Sequence, residues 1–308
     1  MQHVDFDVKD RVTVKFQMGG QENAISARMV VDASGRHTVL GNQLKLKIKD
    51  TVFDQYAIHT WFDDYDRISV MKNPKLEAYI YVHFLPITNS WIWQIPITDK
   101  ITSIGLVTQK SSLPKTKEGM QEFFWECLGS RPDLLAAVKK AKQIRPFKEE
   151  GDYSYAMKQI TGDRFVMIGD AARFVDPIFS TGVSIALNSA RFASKDIIEG
   201  LKANKLDRSA FKNFEATILR GTQNWYDFIS VYYRLNVLFT HFINSKQHRL
   251  DVLKLLQGDV YDEEPPAVLT LMRKQVAEIE NDPEHPWHPL LQEVVGKAFR
   301  PAFGDGQT

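Results

Sequence analysis

The stretch RFVMIGDAARFVDPIFSTG at residues 164–182 decides the fold. Residues 164–169 form a short apolar run, which is typical of a buried β-strand, and the run leads into Gly169-Asp170. A helix is predicted to begin at Ser180-Thr181-Gly182 and to end at Gly200, because Ser and Thr side chains can satisfy the free amides of a first helical turn. The stretch therefore predicts a strand that delivers a carboxylate, followed closely by a helix start.

This arrangement suits a ligand with hydroxyl groups and a flat ring. Asp170 at the carboxyl end of a strand can accept hydrogen bonds from sugar-alcohol hydroxyls, and the small Ala171 and Ala172 let the backbone approach a flat molecule. The helix start near Gly182 presents free N–H groups and a positive dipole end, which suit a bound anion or an electron-rich ring edge. The alternative is a plain strand-turn-helix that binds no ligand.

The predicted helix has one apolar face, which is formed by Val183, Ala186, Leu187 and Ala190.

Upstream of this stretch the sequence predicts further strands. Residues 3–8 and 11–16 alternate apolar and polar side chains, which predicts a half-buried hairpin that is closed by Gly19-Gly20. Residues 27–33 form an apolar run that ends in Ser34-Gly35-Arg36, which predicts a buried strand leading into a tight turn.

The middle of the chain predicts a sheet of its own. Four strand-like stretches are separated by Asp, Asn and Pro clusters, at 56–62, 77–85, 91–97 and 101–108. On a strand, Trp91, Trp93 and Ile95 project to one face, so two indole rings could stand side by side as the wall of a cavity. The alternative is an ordinary pair of aromatic core residues.

The remainder is predicted to be mostly helical. Residues 117–142 have helical periodicity, and within them the single cysteine, Cys127, is expected to be a packed and inert thiol. After Asp207 helices dominate, with an aromatic stretch at 225–242 that is expected to pack as core, until Pro265-Pro266 breaks the pattern.

Composition excludes several classes of protein. The 308 residues are 44% hydrophobic and 25% charged, which are ordinary globular values and argue against a disordered chain or a disulfide scaffold. A net charge of +1 gives no general attraction to nucleic acid or to an anionic membrane. The sequence has no apolar run of the roughly 18–20 residues that a membrane helix needs, so a cytoplasmic protein with a small-molecule partner is expected.

Other chemistries have weak support. His285 and His288 flank Pro286-Trp287 without a third ligand nearby, so no metal site is predicted. His37, His59 and His83 are isolated in the sequence, and no serine lies in a G-x-S-x-G turn, which argues against a hydrolase triad.

Three motifs resemble elements of known flavoproteins. Residues 164–182 resemble the second FAD-binding motif of the para-hydroxybenzoate-hydroxylase-like flavoproteins, and Val30-Val31-Asp32-Ala33-Ser34-Gly35-Arg36 resembles another element of that fold. The motif Trp91-Ile92-Trp93-Gln94-Ile95-Pro96 resembles the W-x-W-x-I-P signature of flavin-dependent halogenases.

The resemblance implies an α/β protein with three parts. Residues 1–50 and 150–200 would form an incomplete FAD-binding domain, residues 51–149 a β-sheet substrate domain, and residues 201–308 a helical C-terminal region. The implied function is oxidative chlorination or bromination of an electron-rich aromatic by an enzyme that uses FAD and is served by a separate flavin reductase.

The resemblance also implies roles for individual residues. Trp91 and Trp93 would form a wall between the flavin and the substrate site. Chloride or bromide would bind at Ser180, Thr181 and Gly182. The implied contacts with FAD are Asp32, Gly35, Arg36, Gly169, Asp170, Ala171, Pro177, Gly182 and Val183.

One departure from the family bears on the substrate. Tryptophan halogenases have a glutamate just before the Ser-Thr-Gly, where this chain has Phe179. An apolar ring cannot accept a hydrogen bond from an indole N–H. A phenol, a pyrrole or an aromatic tethered to a carrier protein is therefore expected rather than free tryptophan.

None of the 17 glycines forms a G-x-G-x-x-G after a strand, the element that would hold the pyrophosphate of FAD. In the family the catalytic lysine follows that element. The chain is therefore expected to be a fragment that by itself binds FAD weakly or not at all and is inactive, with the catalytic lysine outside it. The alternatives are a flavin monooxygenase, a reductase of the geranylgeranyl type, and a truncated remnant without catalytic activity.

Overall fold

The computed structural model describes residues 2–6, 10–50, 52–85, 90–151 and 154–291. The chain divides into two compact units. The first consists of the residues up to Val52 together with those from Ser154 onward, and the second runs from Phe53 to Tyr153.

Strands and helices alternate irregularly along the described residues. The strands are β1 (His3–Asp5), β2 (Val12–Met18), β3 (Gln21–Ala27), β4 (Val30–Asp32), β5 (Lys47–Lys49), β6 (Gln55–Asp63), β7 (Tyr81–Phe84), β8 (Trp91–Pro96), β9 (Thr102–Gln109), β10 (Lys142–Gln143), β11 (Lys148–Glu150), β12 (Tyr155–Met157), β13 (Thr161–Gly162) and β14 (Phe165–Met167). The helices are α1 (Val39–Gln43), α2 (Arg67–Met71), α3 (Lys117–Gly129), α4 (Pro132–Lys140), α5 (Thr181–Ala203), α6 (Lys212–Arg234), α7 (Asn236–Asn244), α8 (Arg249–Leu256) and α9 (Ala267–Glu280).

The first unit opens with an antiparallel sheet of strand order β1-β2-β3. The predicted hairpin is present, but Gly19-Gly20 turns the chain into β3 rather than ending the sheet. β3 was not predicted, because the strand is mostly exposed and lacks an apolar alternation. Residues 7–9 of the predicted hairpin lie outside the described residues.

A second sheet of this unit, of order β13-β14-β4, contains the parallel pair β4 and β14. These strands confirm the two predicted apolar runs but are shorter, since only three residues of each run form the ladder. β5 and β12 form a separate antiparallel pair.

Helix α5 differs from its prediction in three respects. It continues through Gly200 to Ala203 and is followed by Asn204 in the left-handed conformation. The side chain of Ser180 makes no capping hydrogen bond with the described residues. The predicted apolar face is exposed, with Val183 at 70% and Leu187 at 68%. The buried positions are Thr181, Ile185, Ser189, Ala193, Asp196 and Gly200.

Helix α6 confirms the prediction of an aromatic core. Trp225, Tyr226 and Phe228 are completely enclosed, and Tyr232 and Tyr233 are buried beside them. Pro266 directly precedes α9, in agreement with the predicted break. Among the described residues, no helix is both long and apolar enough to cross a membrane.

The second unit is built on a sheet of order β10-β6-β9-β8-β7, with β11 also paired to β6. The strand predicted over 77–85 is present only from Tyr81 to Phe84. A single helix was predicted over 117–142, but the structure has two, because the chain turns at Ser130-Arg131. Pro132 begins α4, where its missing N–H removes no hydrogen bond from the helix.

The core of this unit lies between the sheet and helices α3 and α4. Ile58 and Phe62 of β6 pack there with Phe124 and Leu128 of α3. Cys127 is fully buried in the same cluster, and burial raises the pKa of its thiol to about 12. The prediction of a packed cysteine is therefore confirmed, and a raised pKa disfavours the reactive thiolate.

Candidate functional site

The candidate site in the first unit begins where β4 and β14 end. In this parallel pair Asp32 lies opposite Met167, and the amide of Ile168 donates a hydrogen bond of 3.0 Å to the carbonyl of Asp32. Because parallel strands end at the same edge of a sheet, the turn after Asp32 and the turn after Ile168 lie side by side.

Asp32 shapes the first of these turns from inside. Its carboxylate is fully buried and accepts hydrogen bonds from the amide of Ser34 at 2.9 Å and from the amide of Leu40 at 2.7 Å. Both oxygens therefore have partners within the chain itself. The contribution of Asp32 to the site is to hold the turn that carries Gly35 and the exposed Arg36.

Gly169 allows the second turn to pack closely on α5. Its φ of +57° lies in the left-handed region, and a Cβ there would lie 3.3 Å from the Cβ of Ala186. Its amide donates to Oγ of Ser189 at 2.8 Å. The backbone conformation therefore favours glycine at this position, and the close approach of Ala186 leaves little space for a side chain.

Two hydroxyl groups fix the backbone that follows Gly169. The hydroxyl of Tyr155 donates to the carbonyl of Asp170 at 2.5 Å, and Oγ1 of Thr38 donates to the carbonyl of Ala171 at 2.8 Å. Sequence reasoning missed both, because Thr38 and Tyr155 lie in other segments and carry no local motif.

The side chain of Asp170 faces the start of α5. A Cβ built on Gly182 would lie 3.8 Å from Oδ1 of Asp170, so the carboxylate and the first helical turn are neighbours. Partial burial raises the pKa of the Asp170 carboxyl, and the positive charge of Arg36 opposes this rise.

A groove of about 360 Å³ lies between the two turns and α5. Five of the predicted FAD contacts line it, which are Gly35, Gly169, Asp170, Gly182 and Val183, together with Ala33, Ile168 and Ala186. Asp32, Arg36, Ala171 and Pro177 are not part of this lining. The groove is mostly apolar with one carboxylate, which suits a flat ring that carries a hydroxylated chain.

The start of α5 leaves amide groups available. Ser180 adopts the left-handed conformation, with φ 54° and ψ 35°, and is exposed. The buried Oγ1 of Thr181 donates at 3.3 Å to the carbonyl of Asp176 rather than capping the helix. Since the first N–H groups of a helix have no intrahelical acceptor, the turn at residues 180–182 is suited to an anion.

Asp176 anchors this turn from below and was not predicted to do so. Its Oδ1 accepts from the amide of Ile178 at 2.8 Å and from the hydroxyl of Tyr233 at 3.1 Å. Oδ2 is buried without a hydrogen-bond partner among the described residues. Burial raises the pKa of Asp176 to about 7, so this carboxyl titrates near neutrality.

Phe179 belongs to an aromatic cluster beside the same turn. Its ring stacks on Phe228 and Phe239, with centroid distances of 5.0 and 5.7 Å, and meets Tyr232 edge-on at 5.0 Å. The residue before Ser180 is therefore held by α6 and α7 in an apolar environment.

Trp91 and Trp93 lie in the second unit, on alternate positions of β8, with ring centroids 6.2 Å apart. The Trp93 ring covers Gly105 of the neighbouring strand, where a Cβ would lie 2.1 Å from the ring. Its Nε1 donates to Oγ of Ser103 at 3.0 Å. Sequence patterns could not single out Gly105, because its need for glycine comes from a cross-strand partner.

His59, which is isolated in the sequence, has neighbours from other segments in the structure. Its ring lies 5.4 Å from that of Trp93, and Nη2 of Arg145 donates to its Nδ1 at 2.7 Å. Burial, with a smaller contribution from Arg145, lowers the pKa of His59. His83 also has a partner, since its Nε2 lies 3.2 Å from Oε1 of Gln94.

Among the residues that the structure describes, no group of three or more His, Cys, Asp or Glu side chains is arranged to hold a metal ion.

Comparisons with known proteins agree on one family. The tryptophan halogenase family model matches residues 1–242. A 1H-pyrrole-2-carbonyl-[peptidyl-carrier protein] chlorinase of Pseudomonas fluorescens is 53% identical over 300 residues, which are 97% of this chain and 67% of the relative. A brominase of Pseudoalteromonas luteoviolacea named for the same carrier-bound pyrrole is 25% identical, over 85% of this chain and 64% of that protein.

Comparison with solved structures also finds a flavin-dependent halogenating enzyme with a similar fold. The solved structure of the flavin-dependent brominase Bmp2 matches with a TM-score of 0.79 and 24% identity, over 90% of this chain and 70% of that one. The chain thus spans about two thirds of the length of these proteins.

We predict that Asp176→Asn removes a pH-dependent component of stability. The folded-state pKa of about 7 exceeds the roughly 3.9 of an unfolded aspartate. The protonated carboxyl therefore stabilises the fold at low pH, and this contribution is lost as the pH rises from about 4 through about 7. Between pH 5 and 8 the wild-type chain should lose about 2 to 3 kcal/mol more of its unfolding free energy than the variant. Urea unfolding across this range measures the difference, and parallel profiles would contradict the prediction.

We predict that Gly105→Ala displaces Trp93. The added methyl cannot coexist with the ring at 2.1 Å, so the variant should lose the Trp93–Ser103 hydrogen bond and about 1 to 3 kcal/mol of stability. Tryptophan emission and thermal unfolding measure both effects. Gly129→Ala is the matched control, because a Cβ there meets nothing within 4 Å. An emission change that persists in a Trp93→Phe background would rule out Trp93 as its source.

Proposed function

Because the chain belongs to the tryptophan halogenase family, we propose that it acts as part of a flavin-dependent halogenase that chlorinates or brominates a pyrrole held on a peptidyl carrier protein. The observation that carries the proposal is the facing pair formed by the Asp170 carboxylate and the open start of α5, across a groove with glycine walls. This pair offers a hydrogen-bond acceptor and an anion site within one small space.

The residues of the groove fit part of FAD. Gly169 and Gly182 leave the space that side chains would otherwise fill, and Val183 presents an exposed apolar surface to a ring system. The carboxylate of Asp170 would accept hydrogen bonds from the hydroxyls of the ribityl chain. FAD, when bound, supplies the redox chemistry with dioxygen that makes halide electrophilic, and a separate flavin reductase would keep the cofactor reduced.

The turn at Ser180, Thr181 and Gly182 would hold chloride or bromide. A halide needs N–H donors and a positive potential, and the first turn of the 23-residue helix α5 supplies both. Two hydrogen bonds to Asp176 keep the turn in place. Thr181 donates to the backbone carbonyl of Asp176, and the Tyr233 hydroxyl donates to the Asp176 carboxylate. The amides are thereby preorganised for the anion.

The surroundings of the turn favour an apolar ring as substrate. Phe179 and its partners Phe228, Tyr232 and Phe239 supply aromatic surface and no carboxylate. A pyrrole fits such surroundings, which agrees with the substrate in the names of the chlorinase and the brominase. Trp91 and Trp93, on β8 of the second unit, would form a wall of the reaction cavity.

We predict that Asp170→Ala weakens FAD binding by about ten- to a hundred-fold, because hydrogen bonds to a charged group contribute roughly 1.5 to 3 kcal/mol. The test uses a chimera in which this chain replaces its matching segment of the Pseudomonas chlorinase. Flavin fluorescence titration gives the dissociation constant. Glu199→Ala, an exposed change on α5, is the control, and wild-type affinity in Asp170→Ala would leave the groove without a role in flavin binding.

We predict that the same chimera halogenates a pyrrole on its carrier in preference to free tryptophan by at least about ten-fold, because Phe179 provides no polar anchor for an indole N–H. A competition assay with reductase, halide and oxygen, followed by mass spectrometry, measures the ratio. Phe179→Leu keeps the apolar character and should preserve the preference. Halogenation of tryptophan with the pyrrole untouched would show that Phe179 does not report on substrate class.

A further inference from the structure

A run of positive charge in the second unit has no part in the chemistry described so far. The segment KKAKQIRPFK at residues 139–148 contains five cationic side chains and no acidic one, in a chain whose 39 Lys and Arg are balanced by 38 Asp and Glu. We name Lys139, Lys140, Lys142, Arg145 and Lys148 the basic edge.

The basic edge follows one border of the sheet. Lys139 and Lys140 end α4, and β10 and β11 continue alongside β6, with Lys142 opposite Asp63 and Lys148 opposite His59. The four lysines are exposed. Attraction to the helix dipole explains cations in the last turn of α4, but not those of β10 and β11.

Arg145 connects the basic edge to the aromatic face of the sheet. Its guanidinium lies 4.1 Å from the centroid of the Trp61 ring and donates to His59, whose ring lies 5.4 Å from that of Trp93. Positive charge thus extends along the same sheet face to the proposed tryptophan wall.

Nearby acidic groups reduce this charge only in part. Asp63 lies across from Lys142, and Glu149 and Glu150 follow Lys148 in sequence. Oε2 of Glu149 accepts a hydrogen bond from the Tyr56 hydroxyl at 2.7 Å. The basic edge thus has five cationic side chains, against four acidic neighbours in sequence or across the sheet, which are Asp63, Asp64, Glu149 and Glu150.

We propose that the basic edge is the docking surface for the carrier protein that presents the pyrrole, a deduction that rests on the proposed function. A carrier protein holds its substrate as a thioester on a phosphopantetheine arm, and the phosphodiester at the base of that arm is anionic. This phosphodiester is thus complementary in charge to the basic edge, and the arm would leave the carrier domain where Arg145, His59 and Trp93 follow one another. A free small substrate would not need these lysines.

The test neutralises Lys139, Lys140, Lys142 and Lys148 together by substitution with Gln in the chimera, and leaves the packed Arg145 unchanged. We expect kcat/KM for the pyrrolyl carrier protein to fall about ten-fold, mostly through KM, and its salt dependence to flatten. Activity on pyrrole-2-carbonyl pantetheine, which lacks both carrier and phosphate, should stay unchanged. The control replaces four exposed lysines of the first unit, Lys195, Lys202, Lys205 and Lys212, with Gln.

A second measurement separates this inference from the proposed function. Binding of the 308-residue chain to the pyrrolyl carrier protein is measured directly at low and at high salt, with an unrelated acidic protein of similar charge as reference. A chimera that halogenates neither substrate would overturn the proposed function, whereas a loss of carrier binding in the Gln variant would still support docking. Unchanged carrier kinetics, an equal loss on both substrates, or equal retention of the unrelated acidic protein would each overturn the docking proposal.

Discussion

The parallel pairing of β4 with β14 is the constraint on which the site in the first unit depends. One hydrogen bond, from the amide of Ile168 to the carbonyl of Asp32, extends the ladder to the point where both strands end. The two turns that follow must share one edge, so Gly35 and Gly169 line the same groove although 134 positions separate them in the chain. The carboxylate of Asp32 accepts two hydrogen bonds from backbone amides of its own turn, and Oγ1 of Thr38 donates to the carbonyl of Ala171 in the other turn. The geometry of the sheet alone thus accounts for the groove.

The sequence identified the parts of the site that have local signals. A short apolar run followed by Gly169-Asp170 predicted a strand end with a carboxylate, and the structure places that carboxylate beside Gly182. Partners that are distant in sequence could not be predicted, because nothing in a single strand records its neighbour. Trp93 over Gly105 and Arg145 on His59 are such cases.

The orientation of α5 shows a different limit of prediction. Helical periodicity correctly indicated a helix, but its apolar stripe is exposed at Val183 and Leu187. The buried stripe contains polar residues with specific partners, since Ser189 accepts from the amide of Gly169 and Asp196 accepts from the amide of Phe214 at 2.8 Å. Hydrogen bonds to backbone amides thus contribute to which side of this helix is buried. A pattern of hydrophobic residues contains no information about these bonds.

In the second unit, the position of the proposed tryptophan wall is determined from the opposite face of its strand. Side chains alternate along β8, so a slip of one residue would exchange Trp93 for Gln94. Gln94 is fully buried on the core side, where Oε1 accepts a hydrogen bond from the Tyr65 hydroxyl at 3.0 Å and lies 3.2 Å from Nε2 of His83. A slipped strand would leave these polar groups unpaired in an apolar core, which costs roughly 1 to 3 kcal/mol for each group. The buried amide therefore specifies the register, and the register places both indole rings on the face where Gly105 leaves space for one of them.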